Sequence, residues 1–380
     1  MLMIPFYIFL ISVCTLYNTT SSFTELNMIT HPPLPANHYE FATPWHHSVS
    51  DLKKVKNVVI VCPSCITGGI ENLCQIAHAL KNMHNVEASF LWITYSDNAC
   101  KYQENNLWYL RRQDYDLTPD LYKPLYNPSY LNKDVPLDST TLIILPEIWC
   151  DFLPFFEDAQ KMISWLSIGN IHGAQRSESC RILIERKELY RLPCFHLAQA
   201  PWIQKWLTIW GAPSVFMGDY ISTIFTTPSN IQKIPNSIAY YPAKGKDLAH
   251  KFIDQHPEYV YIKLENMSKE QVVAALDYTQ IYIDFGHFPG MDRTPREAAV
   301  RNCIVLLHNA GCAVDFDSYP IADFFRFTSI DVDNNVLHQK IETILQNYTF
   351  VFTQQAYWRL HIAQEHYAFQ QRINDLFNNQ

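Results

Sequence analysis

From Asn57 onward, short apolar runs alternate with amphipathic helical patterns, and they do so in two series. In the first, NVVIVC reads as a buried strand, and residues 70–83 carry helical spacing through Leu73, Ile76, Ala77 and Leu80. EASFLWIT and TLIILP follow as strands, then a helix near 155–161, MISWLSI and CFHLAQ as strands, and a helix over 202–209. The second series begins near Ser237, with SIAYYP, YVYIKL, IYIDF and CIVLL as strands. Between them lie helices over 247–255, 269–278 (opened by Ser268 as N-cap) and 295–301. Strand and helix in regular alternation predict parallel sheets covered on both faces. A less regular stretch, 219–235, separates the series, and 355–378 reads as one long aromatic-rich helix.

The expected fold class is therefore α/β, with two Rossmann-like parallel-sheet domains facing a cleft. No internal sequence repeat marks a duplication. A chain of 380 residues that is 48% hydrophobic and 17% charged has material for two cores. The expected divisions are a hydrophobic segment 1–24, a linker 25–54, domains over 55–220 and 221–354, and a terminal helix 355–380. Within the linker, 31–50 is rich in Pro and His without periodicity, and His46 and His47 read as solvated.

Net charge of -8 with no Lys/Arg block excludes a nucleic-acid partner. The ten cysteines are scattered through apolar runs, which predicts reduced, buried thiols. Cys62 and Cys65 form a C-x-x-C, but a redox pair belongs at the helix start, and a zinc site needs a second ligand pair. Residues 1–17 are apolar and uncharged, consistent with a secretory signal, a membrane anchor or a leader from a misplaced start codon. Lys53, Lys54 and Lys56 follow that segment, so an anchor would favour a cytoplasmic body. Sequons at Asn18, Asn266 and Asn347 matter only on a eukaryotic secretory route.

In open parallel sheets, ligands bind beyond the carboxyl ends of strands. Four such places carry suitable chemistry. Thr67, Gly68 and Gly69 join the first strand to its helix; they suit close approach to an anion or sugar oxygen, or simply a tight turn. His172 follows MISWLSIGN, either as a donor to a substrate hydroxyl or as a loop histidine. Lys244 follows SIAYYPA, where a cation suits a departing diphosphate, although a solvated lysine at a helix start is common. The run Asp284–Glu297, DFGHFPGMDRTPRE, is the richest. Thr294, Pro295 and Glu297 have capping-box spacing, which leaves Gly286, His287, Gly290 and Arg293 to be explained. A glycine-bearing loop feeding a helix N-terminus is a seat for diphosphate, with Arg293 able to pair with phosphate oxygens. The DxD pairs Asp315/Asp317 and Asp331/Asp333 read as structural.

These elements and motifs, in this order over most of 57–380, resemble the GT-B glycosyltransferases of the retaining group-1 type. TGGIENLCQIAHAL is similar to the glycine pair and first helix of the acceptor domain, and ISWLSIGNIHG to the strand ending in His-Gly beside the donor sugar. HLAQAPWIQKWL is similar to the strand and helix before the hinge, AYYPAKGKD to the phosphate-binding strand end, and IDFGHFPGMDRTPREAAVRNCIVLL to the donor loop. The resemblance implies that Glu297 binds ribose, Lys244 binds diphosphate, His172 lies near the donor sugar, and the terminal helix crosses back to the first domain. It implies a metal-independent, hexosyltransferase-like enzyme with no cofactor. Its partners would be a nucleoside-diphosphate sugar and a saccharide or lipid-linked acceptor, with membrane association at the cytoplasmic face. Two departures stand out: Pro289 occupies the position eight before Glu297 where the family commonly has Glu, and Tyr240-Tyr241 replace a Gly-Arg pair. Arg293 or Arg296 would then supply the missing phosphate contact. Readings from other classes are a two-lobed sugar-binding protein and a catalytically silent transferase fold.

Overall fold

The computed structural model describes residues 54–93, 101–156, 158–168, 194–212, 214–227 and 229–378. They divide into two compact units. The first takes the described residues up to Gln199, then Ile203–Met217 and the chain from Gln371; the second takes Ala200–Trp202 and Gly218–Gln370.

The first unit is built on a parallel seven-stranded sheet. In chain order its strands are β1 (Asn57–Pro63), β2 (Ala88–Ile93), β5 (Ser129–Tyr130), β7 (Thr141–Pro146), β8 (Gln160–Trp165), β9 (Phe195–Ala198) and β10 (Ser214–Phe216). In space they run β10-β9-β8-β7-β1-β2-β5. The central strands β1 and β7 are apolar on both faces, as a doubly covered sheet requires, and Val59, Ile60, Ile143 and Ile144 are fully buried. The Gly68–His84 helix joins β1 to β2, two residues longer at the front than its apolar spacing indicates. A small antiparallel sheet, β3 (Lys101–Glu104), β4 (Leu107–Leu110) and β6 (Val135–Pro136), completes this unit.

The second unit has a parallel five-stranded sheet ordered β12-β11-β13-β14-β15. Its strands are β11 (Ser237–Tyr240), β12 (Val260–Lys263), β13 (Ile281–Asp284), β14 (Ile304–His308) and β15 (Arg326–Phe327). The connecting helices are Lys246–Gln255, Lys269–Tyr278 and Arg293–Val300. Ser268 opens the second of them in a full capping box with Gln271. The last helix, Ala356–Asn378, belongs with the second unit as far as Gln370 and with the first beyond it. There Arg372 donates to the Met217 carbonyl at 3.3 Å and lies over the Phe216 ring.

Three expectations need correction. The segment expected as a helix near 155–161 is instead a run of 3-10 turns over Glu147–Phe156, and β8 starts at Gln160. Pro154 removes a backbone donor within that run, and four aromatic side chains, Trp149, Phe152, Phe155 and Phe156, pack as neighbouring pairs. The helix expected from Pro295 starts at Arg293, with Asp292 as its N-cap. Thr294 therefore lies inside the helix, and no Thr294–Glu297 capping box forms. Scarce glycine is offset by asparagine: all eight described non-glycine residues with positive φ are Asn, including Asn85 and Asn127 at helix ends.

Cys62, Cys74, Cys150, Cys303 and Cys312 are free and buried, whereas Cys65 and Cys194 are free but half-buried. Burial, then the neighbouring Cys74 and Cys65, raises the Cys62 thiol, the opposite of what a redox nucleophile needs. Asp315 caps the turn at Ser318, Asp331 forms a capping box with Thr328, and Asp333 pairs with Lys251.

Candidate functional site

Chain direction across each sheet fixes where a ligand can bind. In the second sheet the chain starts at β11, steps outward to β12, and returns across to β13, β14 and β15. The crevice at such a reversal opens between the carboxyl ends of β11 and β13. The loops leaving those two strands carry Lys244-Gly245 and Phe285-Gly286.

Those loops touch through glycine. Gly245 has φ +66°, and a Cβ there would stand 2.0 Å from the Phe285 carbonyl oxygen. At Gly286 a Cβ would meet Lys244 Cβ at 2.8 Å and Asp284 Oδ1 at 2.9 Å. Any side chain at either position pushes the loops apart, so the two glycines hold Lys244 over the end of β13.

Five polar side chains gather there. Lys244 Nζ pairs with Asp292 Oδ2 at 2.6 Å, with the lysine about one-third exposed. Asp284 is buried; Tyr282 donates its hydroxyl to Oδ2 at 2.9 Å and Gly286 its N–H to Oδ1 at 2.9 Å. Burial first, then the charge of Asp292, pushes the Asp284 carboxyl up to about 6 against the pull of Lys244 and those two hydrogen bonds. Burial works against the Lys244 charge, but Asp292, Asp284 and Tyr241 together raise its pKa, so the ammonium stays charged. His308, at the end of β14, lies 3.1 Å from the Gly286 carbonyl through Nδ1 and is depressed by burial. A neutral imidazole donating there fixes the loop.

Two helix N-termini adjoin this group. The Lys246–Gln255 helix starts at Gly245 and the Arg293–Val300 helix at Asp292, and neither has a side-chain capping hydrogen bond. Asp292 sits at the N-cap position with its carboxylate turned to Lys244 instead. Two helix starts with free first-turn N–H groups and an ammonium thus lie at this end of the sheet.

No family model matches the chain, and no curated protein does. Solved structures do match. The chain is similar to sucrose-phosphate synthase from Thermosynechococcus elongatus, with TM-score 0.53, 11% identity, and coverage of 85% of this chain and 95% of that one. It is similar to Anabaena HepE in complex with UDP and glucose, with TM-score 0.56, 10% identity, and coverage of 86% and 100%. A third is the E. coli trehalose-6-phosphate protein bound with UDP-2-fluoro glucose, with TM-score 0.51, 10% identity, and coverage of 84% and 99%. The fold is GT-B.

Within this GT-B fold the sequence-derived residues fall into groups. Lys244 and Gly286 meet at the reversal in the second sheet. His287 is exposed on the same loop, Gly290 is buried, and Glu297 lies half-buried one turn into the helix. Arg293 pairs with Asp219 at 3.0 Å, and its side chain is only 11% exposed. Arg296 is fully buried between Asp219 and Glu365, each at 2.8 Å, so it is a core residue. Gly68 and Gly69 lie in the first unit, where Thr67 caps the helix by accepting from Ile70 N–H at 3.2 Å. His172 lies outside the described residues.

Asp219, Tyr282 and His308 were not picked out from sequence. Asp219 is one carboxylate in an apolar stretch, FMGDYI, and only the fold shows it holding two arginines. Tyr282 alternates with Asp284 along β13, a period-two signal that a reading of strand ends passes over. Among the described residues no helix is long and apolar enough to cross a membrane, and residues 1–17 lie outside them.

Proposed function

We propose that this chain transfers a sugar from a nucleoside-diphosphate sugar to a saccharide or lipid-linked acceptor, with retention and without a metal ion. The observation that carries the reading is Lys244, held by Gly245 and Gly286 between two helix N-termini that lack side-chain caps. A departing diphosphate gains negative charge as the bond from sugar C1 to the phosphate oxygen breaks, and preorganised positive groups lower that barrier. The donor diphosphate takes the place of the Asp292 carboxylate, freeing Lys244 to pair with it; the acceptor hydroxyl oxygen bonds to C1 as the C1–O bond to phosphate breaks, and its proton passes to the departing diphosphate. The UDP and sugar seen with HepE, and the UDP-fluoro-sugar seen with the E. coli protein, support this substrate class.

In this reading the unit following residue 221 holds the donor, with Gly286, His287, Gly290 and Glu297 lining its loop and Arg293 adding positive potential. The unit before it, with Gly68, Gly69 and His172, takes the acceptor and the donor sugar. Membrane attachment at the cytoplasmic face through residues 1–17 rests on the sequence.

Lys244→Ala tests the proposal: donor hydrolysis and transfer should both collapse, and unchanged turnover would sink it. Thermal-shift screening against UDP-, GDP-, ADP- and CMP-linked sugars then identifies the donor. One observation favours a second reading, a transferase fold that binds donor without turnover. Lys244 is already neutralised by Asp292, and Arg293 is engaged by Asp219. Saturable donor binding with no hydrolysis or transfer on any acceptor would establish it.

A further inference from the structure

At the opposite end of the second sheet, two imidazoles and a carboxylate come together. His256 is the C-cap of the Lys246–Gln255 helix, and Glu258 follows in the turn before β12. His338 arrives from a separate helix, Val336–Gln346. All strands of this sheet are parallel, so residues entering β12 lie at the edge away from Lys244 and Gly286.

The geometry points to a divalent transition-metal site formed by His256, Glu258 and His338, with zinc the best-matched ion. Two imidazoles and a carboxylate are a donor set that suits zinc and leaves a fourth position for water. Bonds of about 2.0–2.1 Å in a tetrahedron place ligand atoms roughly 3.3 Å apart. Here Glu258 Oε1 lies 3.2 Å from His256 Nδ1 and 3.7 Å from His338 Nδ1, and one ligand atom from each residue falls within 4.8 Å of the others.

Surroundings fit as well. The two rings stack face to face, centroids 4.2 Å apart and 7° from parallel. Parallel rings direct their in-plane lone pairs side by side. A rotation of His338, the more exposed ring at 23% against 11%, turns its nitrogen to the shared point. Glu258 is half exposed, giving the ion an entry path. The Tyr259 hydroxyl stands 2.9 Å from His338 Nδ1 and donates to Glu342 Oε1 at 2.7 Å, so an ion must displace Tyr259 from that nitrogen. A bound ion would clip the end of one helix to another, independent of any donor chemistry.

The test uses the full chain after chelator treatment and dialysis, titrated with Zn2+ by calorimetry and with Co2+ by visible absorption. One equivalent of each should bind, Co2+ should develop the intense bands of low coordination number, and Zn2+ should raise the melting temperature. Glu258→Gln, on a half-exposed side chain, and His338→Ala should each weaken binding roughly tenfold or more. A His46→Ala/His47→Ala double variant should bind as the parent does. No saturable binding, or binding of equal strength in the Glu258→Gln and His338→Ala variants, overturns the site and shows the cluster to be a hydrogen-bonded stack alone. Neither outcome bears on sugar transfer.

Discussion

Both sheets reverse direction once, and the two reversals are built from different chemistry. In the first unit the reversal lies between β1 and β7, where the loops carry Thr67-Gly68 and Glu147. Every polar group named there is answered locally: Thr67 caps its helix, Tyr122 donates to the Thr67 carbonyl and accepts from its N–H, both at 2.9 Å. Glu147, fully buried, accepts from Leu166 N–H at 2.9 Å and the Ser167 hydroxyl at 2.8 Å. At the second unit's reversal the Lys246–Gln255 and Arg293–Val300 helices start without side-chain caps, and a lysine is balanced by a half-buried aspartate. Topology alone thus makes a crevice; in the proposed function only the second one takes an anion.

The sharpest way to break that contrast is Lys244→Ala. Removing a preformed positive group from a leaving-group site costs on the order of 10²–10³ in kcat. Steady-state transfer and donor hydrolysis should both fall by about that factor while the fold persists. A loss confined to KM would mean that Lys244 only binds the donor.

Next in size is a pair of glycine variants, one from each reversal. Gly245→Ala forces a left-handed φ on alanine, about 1–2 kcal/mol, and drives its Cβ into the Phe285 carbonyl. The loops must separate, so both the melting temperature and diphosphate affinity should drop. Gly69→Ala meets only Leu166 Cδ1, at 2.7 Å, the movable end of a side chain. Its cost should stay within about 1 kcal/mol. Equal destabilisation in a denaturant titration would show that the close loop contact is not what builds the second site.

Much of this was legible in the sequence because parallel strands buried on both faces are continuous apolar runs, as in NVVIVC and TLIILP. Ser268 likewise announced its helix to the residue. The small antiparallel sheet was not visible, since KYQE is polar and its pairing comes from backbone hydrogen bonds. At the site, spacing misled: Thr294 and Glu297 stand three apart, yet Asp292 takes the cap position and pairs with Lys244. That removes the capping box as an explanation for Glu297. Arg293 and Arg296 looked alike in sequence and both pair with the buried Asp219; Arg296, held also by Glu365 from a distant helix, is fully buried, while Arg293 is 11% exposed. Long-range charge pairing has no local signature.

A smaller effect comes from pH. The Asp284 carboxyl, raised to about 6, binds a proton in the folded chain at pH values where the unfolded chain, near 4, has released it. Stability contributed by this group therefore falls as pH rises from about 4 to about 6 and is level above that. Protonation also leaves Lys244 less neutralised. A nucleotide sugar, whose diphosphate does not titrate in this range, should bind several-fold tighter at pH 5 than at pH 7.5, on the order of one pKa unit of coupling. Asp284→Asn should bind tightly at both. A wild-type affinity flat with pH would disconnect Asp284 from the anion seat.

The smallest effect belongs to the first reversal. Thr67→Ala removes the side-chain acceptor for Ile70 N–H and should cost about 1 kcal/mol, read as a lower denaturation midpoint at unchanged slope. Diphosphate affinity should not move, because that turn is satisfied by its own residues. If donor binding weakened together with stability, the first reversal would share the anion, and the contrast between a closed turn and a charged one would have to be redrawn around both.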